Sequence, residues 1–254
     1  MITLLPEVKK LTDRNGFTGV FEGLRITAKE MPEEILELAK FRFWDKKLPL
    51  DAPEGLRVQI EKGLPETEVD NEKLFREQGY TLDIAEDGVQ LCYEGRAGLI
   101  NGLTSLKQLL EKKGTGYRLP TCQIVDYPSL ETRAIAQTFS WYAGYGRFGF
   151  DSQLWGYEEW VEYLNICLDN KINQFNLVMY GYWPFALDGY PETVFRDVPI
   201  KIWNAENRRW LSVRYTHPNL EEPFMDRFIA LAHQFEVKIF AYVGLYSGKI
   251  RFHS

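Results

Sequence analysis

The residues best suited to chemistry gather where the segment Lys171–Phe185, KINQFNLVMYGYWPF, runs out. Phe175, Leu177 and Met179 alternate there with Asn176, Val178 and Tyr180, and Tyr182, Trp183 and Phe185 follow after Gly181. Apolar residues dominate both alternating sets, which predicts a strand buried on both faces of a parallel sheet. Parallel α/β folds bind ligands at the C-terminal ends of their strands. Flat rings with polar tips at such a place suit the C–H faces of a sugar. The same rings serve equally as a lid on the hydrophobic core.

Other chemistry-bearing side chains have plainer readings. Glu158 and Glu159, like Glu221 and Glu222, fall in the first turns of predicted helices, where acids complement the helix dipole. Asp151 and Asp188 lie in loops long enough to reach the mouth of a cleft. Arg208 and Arg209, close to Trp203 and Trp210, read as a solvated loop or one wall of a cleft. Gly144-x-Gly146-x-x-Gly149 copies a dinucleotide fingerprint in letters but has no acidic residue in a βαβ context, so it is set aside. Cys92, Cys122 and Cys167 are widely spaced in apolar surroundings and read as ordinary thiols. With three histidines, His217, His233 and His253, and no metal-ligand spacing, neither a metal nor a cofactor is expected.

A net charge of −6 and a pI near 5.3 argue against nucleic acid as a partner. No stretch approaches the roughly 18 apolar residues of a membrane span, and the N-terminus lacks a secretory pattern. The expected location is the cytoplasm. Aromatic residues make up 15% of the chain and thicken after residue 138, which points to a second region with a different task.

Two regions also emerge from the elements that must position these residues. Strands are predicted over Phe17–Phe21, Leu24–Ala28, Leu56–Glu61 and Leu119–Val125, and a helix over Met31–Lys40. Tyr80, Leu82 and Ile84 face Val89, Leu91 and Tyr93 across a hairpin whose Asp87-Gly88 supplies a positive-φ position. Leu99, Leu103, Leu106 and Leu110 mark a helix over Ala97–Lys112 that Gly114 and Gly116 end. Residues 1–126 thus read as an α+β domain, a mixed sheet with two helices. From 127 to 254 the rhythm is βαβαβ: strand Arg133–Phe139, helix Tyr157–Asn170, the Lys171–Phe185 strand, a long polar connection Asp188–Pro218, helix Glu221–Phe235 and strand Val237–Leu245.

The run GYTLDIAEDGVQLCYEGRAGLINGLTSLKQLLE, followed by LPTCQIVDYPSLETRAI, resembles the non-catalytic second domain of family 20 glycoside hydrolases and its junction with the catalytic barrel. Gly79, Tyr80, Leu82, Asp87, Gly88, Val89, Ala97, Gly98, Gly102, Leu106, Gln108, Leu109, Leu110, Asp126, Pro128 and Arg133 carry the likeness in order and spacing. The resemblance implies an α+β accessory domain followed by an incomplete (β/α)8 TIM barrel. It implies a parent β-N-acetylhexosaminidase-like enzyme that removes terminal N-acetylhexosamine from glycans, with carbohydrate as partner. It also makes Arg133 the residue that grips sugar hydroxyls, with Trp141, Asn176, Tyr180 and Trp183 as lining.

The chain departs from the family pattern at Thr138, where an aspartate is usual, and at Asn176, where a histidine is usual. FSWY and GYWPF also resemble α-glucuronidases and α-N-acetylglucosaminidases, and a non-catalytic carbohydrate-binding module is the remaining alternative. Family 20 enzymes use a neighbouring aspartate–glutamate pair on the fourth barrel strand. No Asp-Glu dipeptide occurs in the sequence, and a full barrel takes roughly 250 residues, so no catalytic residue is assigned. The chain alone is expected to be an inactive, truncated portion that self-associates through an open barrel edge.

Overall fold

A computed structural model describes residues 2–140, 155–180, 196–216, 220, 221 and 223–243. The chain divides into two compact units, Met1–Arg133 with Asn165–Ile172, and Ala134–Leu164 with Asn173–Ser254.

The first unit contains β1 (Lys10–Phe17), β2 (Leu24–Ala28), α1 (Pro32–Arg42), β3 (Leu56–Lys62), α2 (Glu72–Gln78), β4 (Tyr80–Ala85), β5 (Gly88–Tyr93), α3 (Arg96–Gln108), β6 (Glu111–Lys113), β7 (Gly116–Arg118) and β8 (Pro120–Asp126). Six strands form a mixed sheet in the order β1-β8-β4-β5-β3-β2. Pairs β2–β3 and β3–β5 are parallel; the others are antiparallel. Strict alternation explains which face is buried: Tyr80, Leu82 and Ile84 of β4 point inward with Val89, Leu91 and Tyr93 of β5, while Asp83 and Gln90 point out. The hairpin pairs Tyr80 with Tyr93, Leu82 with Leu91 and Ile84 with Val89, as its alternation predicts. α3 packs against β4 and β5. Gly98 permits that approach, because a Cβ there would collide with the Gly79 carbonyl.

Several expectations need correction. Neither Asp87 nor Gly88 has positive φ. Gly88 already belongs to β5, where a Cβ would stand 3.1 Å from the Arg57 carbonyl oxygen of β3. α3 stops at Gln108, and Gly114 instead turns β6 into β7. A third helix, α2, was not foreseen; its start is set by Asn71, whose side chain accepts a hydrogen bond from the Leu74 N–H at 3.0 Å. The first strand is Lys10–Phe17 rather than Phe17–Phe21. It is an edge strand, polar and exposed along most of its length, so it carries no alternation to read.

The second unit holds β9 (Ala134–Ser140), most of α4 (Tyr157–Asp169), β10 (Gln174–Tyr180), β11 (Val198–Asn204), β12 (Arg209–Tyr215), α5 (Met225–Gln234) and β13 (Lys238–Val243). β13, β10 and β9 form a parallel sheet in that order, with Asn176 level with Ala136 and Phe240. A βα rhythm is therefore present, and the described residues form an open three-stranded sheet. Phe175 and Leu177 are buried with Trp160 and Leu164 of α4 and Phe228 and Ala232 of α5. Trp160 and Phe175 both pack on Phe228, with ring centroids 5.4 and 6.3 Å away. The supposed polar connection Asp188–Pro218 contains the antiparallel hairpin β11–β12. Its alternation was hidden because apolar residues occur on both of its faces.

Candidate functional site

Polar or aromatic groups gather at several places among the described residues. One is the set of strand ends in the parallel sheet. Tyr180, the last residue of β10, is level with Ser140, the last of β9, and Met179 with Val243 of β13, so the three strands finish together. Trp141 comes directly after Ser140 in sequence and Trp183 three residues after Tyr180; both lie outside the described residues. Asn176 lies within β10 on the face opposite Phe175 and Leu177, half-buried, and its side-chain carbonyl accepts a hydrogen bond from Gln174 Nε2 at 2.8 Å.

Arg133 does not join this group. It immediately precedes the first residue of β9, at the end of that strand away from Ser140. Its Nε donates to the Lys171 carbonyl oxygen at 2.6 Å, and Nη1 to Gln78 Oε1 and the Leu130 oxygen, both at 2.9 Å. Burial pulls its pKa below the ordinary arginine value, opposed by the charge of Asp126.

The second place is a cleft of about 500 Å³ in the first unit, lined in part by Lys9, Asn101, Asp126, Tyr127, Arg133 and Lys171. Asp126 ends β8, and Lys171 occupies the turn after α4 at φ 54°. Lys171 Nζ donates to Asp126 Oδ2 at 2.7 Å and to the Tyr80 hydroxyl at 3.1 Å. Tyr80 in turn donates to Asp126 Oδ2 at 3.0 Å and shares a hydrogen bond of 2.5 Å with Ser105. The Lys9 N–H supplies Asp126 Oδ1 at 3.2 Å. Burial holds Lys171 below the usual lysine pKa despite Asp126, and burial together with that carboxylate pushes Tyr80 well above its own.

A second knot lies nearby in the same unit. The fully buried Arg42 guanidinium donates to Asp169 at 2.5 Å, Asn165 at 2.8 Å and Thr104 at 3.2 Å, and Lys107 donates to both Asp169 oxygens. Apart from the buried Arg42 Nε, which has no hydrogen-bond partner, these groups are tied into hydrogen-bonded networks, and their chemistry is positional: they fix Asn165–Ile172 to the rest of the first unit. Sequence reasoning singled out Tyr80, Asp126 and Arg133 by the family likeness but not their contacts, and it missed Arg42, Lys107 and Asp169. A lysine at the end of a helix and an aspartate at the end of a strand give no hint of each other until the fold places them together. Among the described residues, no cluster of three histidine, cysteine or acidic side chains could hold a metal ion.

The family model for glycosyl hydrolase family 20, domain 2, matches residues 1–127, half of the chain. Among solved structures, a β-hexosaminidase mutant from Streptomyces plicatus in complex with GlcNAc superposes with a TM-score of 0.65 at 16% identity, over 94% of this chain and 45% of that one. The GH20 β-N-acetylhexosaminidase of Streptomyces coelicolor A3(2) gives 0.64 at 16% identity, with coverage of 94% and 45%. The GH20 exo-β-N-acetylglucosaminidase of Vibrio harveyi, in complex with N-acetylglucosamine, gives 0.62 at 15%, with coverage of 94% and 35%. At such identities the likeness is one of fold, and the chain spans less than half the length of each of these structures. No curated protein matches the sequence.

Proposed function

The chain belongs to the glycosyl hydrolase family 20, domain 2 family, and from that premise we propose that it supplies the accessory domain and first barrel strands of a β-N-acetylhexosaminidase-like glycoside hydrolase. One observation carries the proposal. The family match stops at residue 127, and the next elements are β9, α4, β10, α5 and β13, whose three strands lie parallel. That order supports reading these elements as the opening of a (β/α)8 barrel directly after its accessory domain. The α-glucuronidase-like, α-N-acetylglucosaminidase-like and purely binding readings have no comparable support.

In this reading the substrate is a terminal N-acetylhexosamine, held at the ends of β9 and β10. Tyr180, Trp141 and Trp183 furnish apolar ring faces for the sugar, and Asn176 lies deeper in the barrel interior as a hydrogen-bonding layer. Arg133 is assigned to the base of β9, where it secures the junction through the Lys171 carbonyl and Gln78. Acid catalysis requires a carboxyl group beside the glycosidic oxygen, and in this family the adjacent Asp-Glu pair supplies it; that dipeptide is absent from the sequence. The purified 254-residue chain is therefore expected to leave a chromogenic N-acetylglucosaminide intact, and measurable turnover would overturn this assignment. Sequencing of the coding region past Ser254 tests the enzyme reading itself. A continuing frame with an Asp-Glu pair on a following strand is expected; barrel-free sequence there would sink it.

A further inference from the structure

The hairpin β11–β12 carries its aromatic side chains on the wrong face for a structural ornament. Val198, Ile200 and Ile202 share one face with Leu211, Val213 and Tyr215, and that face is partly buried except at Ile202, which is 45% exposed. The opposite face holds Pro199, Lys201 and Trp203 across from Arg214, Ser212 and Trp210. Polar residues belong on such a solvent face. Instead Trp203 is 51% and Trp210 64% exposed, their rings packed edge to face with centroids 5.5 Å apart.

Charge supplies the second observation. In a chain of net charge −6, residues 196–216 hold Arg196, Lys201, Arg208, Arg209 and Arg214 against two acids, Asp197 and Glu206. Asp197 is committed to Arg214 through two carboxylate contacts of 2.5 and 2.7 Å. Among the described residues, Lys201, Arg208 and Arg209 make no ion pair, and all three are exposed. Position is the third. The hairpin lies in the connection leaving the C-terminal end of β10, on the side where parallel α/β folds place ligand-binding loops.

We propose that the exposed Trp203–Trp210 pair, with Lys201 on the same face and Arg208 in the turn that joins the strands, forms a subsite for an anionic glycan, in which the indoles stack on sugar faces and Lys201 and Arg208 meet a carboxylate or sulfate group. The choice of glycan over another polyanion rests on the glycoside hydrolase reading above. The ring pair alone would stabilise the hairpin as a cross-strand contact. It does not account for the exposed Lys201 on its own face, which makes no ion pair among the described residues of an acidic chain.

Binding by the intact chain is measured by tryptophan fluorescence and calorimetry with three tetrasaccharides: uronate-bearing chondroitin, its sulfated form, and neutral chitotetraose. The two charged probes separate carboxylate from sulfate recognition. At least one of them is expected to bind more tightly than chitotetraose and to weaken as salt rises. Trp210→Ala is expected to cost about tenfold in affinity. Lys201→Glu is expected to weaken the charged probe while leaving the circular dichroism couplet of the paired indoles intact, which separates loss of a contact from loss of the hairpin. The proposal falls if chitotetraose binds as well as the charged probes, or if neither substitution changes affinity. It also falls if single-stranded DNA or anionic vesicles displace the bound glycan at lower charge concentration. None of these results bears on whether an Asp-Glu pair follows Ser254, so the enzyme reading stands or fails separately.

Discussion

The two units each contain an acid–base pair of the same kind in opposite surroundings. Asp126 and Lys171, 2.7 Å apart, have side chains 9% and 8% exposed. Asp197 and Arg214, 2.5 Å apart, are both 64% exposed. Around the buried pair, Tyr80 bonds both members, Ser105 holds Tyr80 and the Lys9 N–H meets the second Asp126 oxygen, so much of the lost hydration is replaced by protein groups. The exposed pair competes with solvent at every contact. Short distance therefore says little about what a pair does for the fold; what matters is what happens to the partner left behind when one member goes.

That contrast is broken most directly by Asp126→Ala. It leaves Lys171 buried without its counter-charge and should cost about 3–5 kcal/mol in urea unfolding. A loss under about 1 kcal/mol would show that the first unit lets water reach the pair. Next in size is Gly98→Ala, which forces a Cβ onto the Gly79 carbonyl and should cost about 1–3 kcal/mol by the same measurement. Asn71→Ala removes the hydrogen bond at the start of α2 and should cost about 1 kcal/mol. Arg214→Ala, the exposed counterpart of the first change, should leave the urea midpoint nearly where it was, and added salt should reduce even that small effect.

The smallest effect vanishes at neutral pH. Burial pushes the Cys122 thiol from its ordinary 9.0 up to about 11. Between those values the unfolded chain loses the proton first, so unfolding draws stability away as pH rises. The contribution is intact below pH 9.0 and declines toward pH 11. Cys122→Ala should flatten that part of the stability profile relative to the parent chain, and an unchanged slope would show that the thiol is not shielded.

Legibility in the sequence followed the same divide. β4 and β5 bury every second residue, so their register was readable from Tyr80, Leu82, Ile84, Val89, Leu91 and Tyr93 alone. α3 was readable from its leucines because both α3 and the sheet beneath it are aliphatic. The β11–β12 hairpin hid itself, since Trp203 and Trp210 place apolar residues where alternation demands polar ones. The site was less legible still. The strand ends at Ser140 and Tyr180 could be anticipated from the parallel rhythm, whereas the carbonyl partners of Arg133 at the start of β9 could not. The Lys171–Asp126 contact joins residues 45 apart that share no motif, and only tertiary folding brings them together.

Asn165–Ile172 belongs to the first unit although β9 and the start of α4 intervene in the chain. A ribosome that has delivered residue 133 has therefore not delivered the whole of that unit. Arg42, Lys107 and Asp126 must wait, charged and without Asp169 and Lys171, while nearly forty further residues are synthesised. Completion of the first unit is thereby tied to synthesis of the next. Cutting the gene at the family boundary would remove the same partners permanently.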